Sequence, residues 1–173
     1  MKKLAYILVA ALVLFTTGCK KYIEGWDDNP NLPTTVTPAL LLSASQVALF
    51  ATMEGQLART ATIWSQQLTG TDFQMTNVNT YFVLEGDNTN EWSVVYQDGL
   101  VNLNEIVTSF GAANPWYSGI AKVVKAMLMG VATDCWGDIP YREAALGMGG
   151  EEFFAPNYDN QEQLLGDIQG LLS

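Results

Sequence analysis

The sequence predicts an all-α fold. Apolar residues recur every three or four positions through several long stretches, the period of an amphipathic helix. Two of those stretches open on pairs suited to starting a helix, Thr37-Pro38 and Asn114-Pro115. Only one short piece, "TYFVLE" at 80–85, reads as a strand.

Bulk composition bounds the chemistry before any element is placed. The chain has 173 residues, 49% of them hydrophobic, enough for one domain with a real core. Its formal net charge is −10, which repels phosphate backbones and argues against nucleic acid as a partner. Histidine is absent, so the usual general base, the commonest metal ligand and every Ser-His-Asp or Cys-His site are absent with it.

The chain opens "MKKLAYILVAALVLFTTGC". Lys2 and Lys3 precede an uncharged run from Leu4 to Phe15, too short for a membrane span, which needs roughly 20 residues. Residues 1–18 read as a signal peptide. "TTGC" resembles the lipobox of bacterial lipoproteins, with Thr16 where leucine is commonest, and this makes Cys19 the acylated (palmitate-type) N-terminus of the mature chain. Cys135 is then the one remaining thiol and has no disulfide partner. Residues 19–37, rich in Asn, Asp, Pro and Thr, read as a lipidated, extended tether. The helical domain occupies 38–173.

Within it, Val47, Phe50, Met53, Leu57, Ala61, Trp64 and Leu68 mark one face of a long first helix ending before Gly70. Residues 70–90 lose the helical period and read as a long irregular loop. Asn90 is a candidate cap for a second helix, whose face runs Trp92, Tyr96, Leu100, Leu103, Val107 and Phe110. Tyr117, Ile120, Val124, Met127, Val131 and Cys135 trace a third. Helices two and three form an antiparallel hairpin close in length to a tetratricopeptide unit of about 34 residues, and Trp92 with Tyr96 is similar to its opening. Asp159 and Glu162 in "DNQE" read as a capping box for a last helix.

"DCWGDIPY", residues 134–141, offers a thiol, two acids and a phenol. Cys135 falls in register with Val131 on the third apolar face, where a thiol is a small core residue, and no histidine exists to activate it. Asp134, Asp138 and Glu143 together fall short of the six or so oxygen ligands of a Ca²⁺ site. No metal or other cofactor is expected. Gly137 can close the helix and Pro140 stops it, leaving Trp136 and Tyr141 to fold the turn back onto the hairpin.

"DCWGDIPYREA" and the later "PNYDNQEQLLGDIQGLL" resemble the SusD/RagB family of outer-membrane lipoproteins. Asp134, Trp136, Gly137, Asp138, Pro140, Tyr141, Glu143 and Ala144 match its first motif; Pro156, Tyr158, Asp159, Gln161 and Glu162 match its second. The resemblance implies a SusD-like fold of tetratricopeptide-like helical hairpins with long irregular loops. It also implies a surface lipoprotein that binds oligosaccharide, or a peptide, and delivers it to a SusC-like TonB-dependent transporter, without catalysis. Family members are much longer, so the chain is expected to be an incomplete, N-terminal portion of that fold.

For ligand contact, only the 70–90 loop interleaves aromatic rings with amide and carboxylate side chains. Asp72, Gln74, Asn77, Asn79, Tyr81 and Trp92 are the candidates. The motif residues Asp134, Trp136, Gly137, Asp138, Pro140, Tyr141 and Glu143 are assigned structural roles. The alternative is a helical-repeat adaptor that joins envelope proteins and binds no small molecule. A glycoside hydrolase would need an acid pair about 5–9 Å apart, and no spacing singles one out.

Overall fold

The computed structural model describes residues 36–173, apart from the side chain of Gln74. The signal peptide, Cys19 and almost all of the tether lie outside the described residues. The unit Thr37–Ser173 is all-α. Its helices are α1 (Pro38–Glu54), α2 (Gln56–Trp64), α3 (Gln74–Asn79), α4 (89–110), α5 (Pro115–Trp136) and α6 (Gln161–Leu171). The "TYFVLE" segment is not a strand. Residues 82–84 run without regular structure into a 3₁₀ turn at Glu85–Asn88, and no strand occurs among the described residues beyond an isolated bridge between Ile139 and Asp159.

Helix α1 begins as expected: the Thr37 hydroxyl accepts from the Leu40 amide at 3.3 Å and Pro38 takes the first turn. The continuous helix expected up to Gly70 is broken. Gly55, at φ −84° and ψ −131°, separates α1 from α2, and α2 ends at Trp64. The apolar face is also rotated from the expected one. Leu41, Leu42, Ala48 and Leu49 are buried, whereas Val47 and Phe50 are more than half exposed. Helix α1 carries a single charge, Glu54, so its sequence has no polar face from which to set the inward direction. Small hydroxyls mark that direction instead: Ser45 and Thr52 are fully buried and each donates to the carbonyl four residues back, at 2.9 Å.

Helix α4 departs from α geometry twice, in π-helical segments at Val94–Leu100 and Ile106–Phe110. It starts before Asn90, continuing the 3₁₀ turn, where the Leu84 amide donates to the Asp87 carboxylate at 2.9 Å. Its expected inner face holds: Leu100 and Leu103 are fully buried, and Trp92, Tyr96, Val107 and Phe110 pack against the core. Gly99 lets α5 come close, since a Cβ there would collide with Leu128. Helices α4 and α5 form the hairpin, α1 packs across both, and α6 packs on α5. The core gathers Val95, Leu100, Leu103, Ile106, Leu128, Met129, Ile139 and Leu164, all fully buried.

Helix α5 starts at Pro115, but the Asn114 side chain does not cap it; that amide donates back to the Phe110 carbonyl at 3.4 Å. Its buried line runs through Ala121, Val124, Leu128 and Ala132, so Ile120 and Met127 of the expected face are exposed. Cys135 is exposed rather than in the core, and partial desolvation of the thiol, then the nearby Asp134 carboxylate, pushes its pKa upward. The helix stops at Gly137, whose φ of +75° is open to glycine and strained for other residues.

Candidate functional site

The two motifs at 134–144 and 156–162 meet in space. Ile139 and Asp159 exchange backbone hydrogen bonds at 3.2 and 3.0 Å. Asp159 does not cap α6. Its carboxylate accepts from the Tyr141 and Arg142 amides at 2.9 and 2.8 Å and from the Arg142 guanidinium at 3.2 Å. Capping falls to Asn160, which accepts from the Glu162 amide at 3.1 Å, and to Asp138, which accepts from the Gln161 amide at 2.9 Å. Two acceptors at orphan amides, one of them anionic, suit the positive end of the helix. Glu143 accepts twice from Asn157, at 3.0 and 2.9 Å. The Gln161 side-chain amide donates through Nε2 to the Thr133 carbonyl at 2.8 Å, just before the Gly137 turn. Pro140 is buried and its carbonyl accepts from the Tyr96 hydroxyl at 2.8 Å. Burial, with Tyr158 and Asp159 adding to it, drives that phenol's pKa far above its usual value, so it stays a donor. Asp134 is exposed.

This junction presents aromatic rings to one side. Trp136 stands edge-on to Trp92, centroids 5.3 Å apart at 90°, and Trp92 lies 4.7 Å from Tyr96. Trp92, Trp136 and Tyr158 line an open cavity of about 470 Å³ together with Val83, Leu84, Glu85, Asn88 and Thr89. Its volume lies within the range of small-molecule sites. Two half-buried indoles and an exposed phenol supply flat apolar faces, while Glu85, Asn88 and Thr89 supply hydrogen-bonding groups.

Of the six candidates for ligand contact, Trp92 alone lines this cavity among the described residues. Asp72 accepts from the neighbouring Phe73 amide at 2.8 Å. Gln74 contributes its backbone to the start of α3, and its side chain lies outside the described residues. Asn77 and Asn79 are exposed on that helix. Tyr81 is exposed at φ +60°, its ring 5.8 Å from Trp64, whose indole donates to the Val78 carbonyl at 3.0 Å. The cavity's other liners come from three separate stretches. Trp136 and Tyr158 carried a sequence signal as motif residues; Glu85, Asn88 and Thr89 carried none.

Among the described residues, no cluster of acids and cysteine suits a metal ion, and no helix is long and apolar enough to cross a membrane. No individual curated protein matches the chain. Over residues 30–172 it matches the model of the SusD-like family described as "Starch-binding associating with outer membrane", and it belongs to that family.

Proposed function

We propose that the chain is a lipoprotein anchored in the outer membrane through Cys19, which captures a neutral oligosaccharide in the Trp92–Trp136–Tyr158 cavity and passes it to a SusC-like TonB-dependent transporter. The observation that carries this reading is the cavity's make-up: three aromatic side chains beside a carboxylate, an amide and a hydroxyl. Sugar rings present C–H faces that pack on aromatic planes and hydroxyls that pair with such polar groups. The family's description as starch-binding agrees with that chemistry. Among the described residues Glu85 is the only acid lining the cavity, and glycoside hydrolysis uses two, so the reading is capture without cleavage.

The test is a titration with malto-oligosaccharides, followed by tryptophan emission, on the chain and on Tyr158→Ala. Tyr158 is 68% exposed, so its removal should change stability by no more than about 0.5 kcal/mol, as surface substitutions do. Affinity should fall roughly tenfold or more. Absence of saturable binding by any neutral oligosaccharide would sink the cavity reading. The adaptor reading would then gain, since Trp116, Ile120, Val123 and Met127 leave an exposed apolar stripe at helical spacing along α5.

A further inference from the structure

The unit Thr37–Ser173 has only four basic side chains, Arg59, Lys122, Lys125 and Arg142. Two of them, Lys125 and Arg142, line a second cavity of about 670 Å³ between α4, α5 and the 141–153 loop. In a chain of net charge −10, this convergence is against the overall balance.

The two cations differ in what already neutralises them. Arg142 pairs with Asp159 at 3.2 Å and Asp167 at 2.7 Å. Lys125 makes no ion pair among the described residues. Its ammonium donates to the Asn104 side-chain oxygen at 2.7 Å and lies 4.8 Å from the centre of the Tyr141 ring. A neutral amide and a ring face hold the ammonium in place and leave its charge uncompensated. Burial alone lowers its pKa, as expected for a cation without a counter-ion. An ammonium has three donors, and Asn104 uses one. Glu105, the one acid among the cavity's described liners, is solvent-exposed. The remaining wall is largely apolar, with Val101, Leu146 and Phe153.

We propose that this cavity is a second binding site, for a monocarboxylate whose ring or apolar body packs on Leu146 and Phe153 while its carboxylate pairs with Lys125. One free ammonium suits a singly charged group. A phosphate dianion would draw on more donors than Lys125 offers, and the Arg142 fork is already engaged. The inference does not rest on the Trp92 cavity. That reading concerns neutral sugars, and this one is scored by what a carboxylate adds.

The experiment is calorimetric titration of the chain with galacturonate, galactose and benzoate. Galacturonate and galactose differ in the acid group, and benzoate separates an apolar acid from a sugar acid. At least one acid should bind more tightly than galactose. Lys125→Met should weaken that acid roughly tenfold or more. Asn104→Asp supplies an internal counter-ion without changing side-chain size, so it should also abolish acid binding while leaving the fold intact. Failure of both acids at about 10 mM, or acid binding undiminished in Asn104→Asp, overturns the proposal. Binding by benzoate alone would keep the site and assign it to apolar acids; binding by galacturonate alone would assign it to acidic sugars.

Discussion

The junction of residues 133–143 with 156–161 and the segment 65–88 are held in opposite ways. At the junction, hydrogen bonds reach across 14 to 28 residues of sequence, and a single carboxylate, Asp159, ties down two amides and a guanidinium. In the segment, every bond closes within six residues except the one from the Trp64 indole to Val78. Gln66, Phe73 and Tyr81 also hold positive φ there, a conformation that costs side-chain-bearing residues on the order of 1 kcal/mol each. The first region is decided by distant parts of the chain together; the second is decided locally and weakly. The Trp92 cavity lies where they meet. The junction supplies Trp136 and Tyr158, and the segment supplies Val83, Leu84, Glu85 and Asn88. Rigid rings on one wall and loosely held polar groups on the other suit a site whose specificity is set by the second wall.

The largest expected effect tests the junction. Asp159→Ala strips the acceptor from the Tyr141 and Arg142 amides, leaving Tyr141 buried with an unpaired donor. The Asp159 side chain is only 12% exposed, so the loss should be about 2–4 kcal/mol. The guanidinium half adds little of this, because Arg142 is 48% exposed and water screens its pair. Thermal or urea unfolding measures it. A change below about 1 kcal/mol would mean that the junction is not the stabilising region.

Trp136→Ala comes next, at about 2 kcal/mol, less than the 3–5 of a fully buried aromatic because the indole is half-exposed. It should also remove oligosaccharide binding, since the edge-on contact that positions Trp92 is lost with it. A stable variant with intact binding would detach Trp136 from both regions.

Which parts were legible from sequence follows the same division. Local chemistry was readable: Thr37-Pro38 starts α1, Pro115 starts α5 and Gly137 ends it, since each acts on backbone within a few residues of itself. The inward faces were less so. In "PALLLSASQVALFATME" nearly every position is apolar or small, so Val47 and Phe50 look as buriable as Leu42 and Leu49. The π-helical turns of α4 have no residue signature that periodicity detects. Asp159 looked like a cap by its spacing, and only the fold brings Tyr141 and Arg142 to it. The cavity was least readable, because Trp92, Trp136 and Tyr158 converge from separate segments with no spacing to announce it.

The smallest expected effect sharpens the comparison most. Tyr81 is 64% exposed and touches the ring of Trp64, itself 43% exposed. Its loss removes one tilted aromatic contact at the surface, so Tyr81→Ala should shift stability by about 0.5 kcal/mol or less. The Trp92 cavity does not include Tyr81, so oligosaccharide affinity should also stay within about twofold of the parent. That outcome separates the aromatic residues that sequence composition nominates from those that the fold assembles. A tenfold loss at unchanged melting temperature would place the ligand across the 72–81 stretch instead, making the loosely held segment the binding surface and the junction only its support.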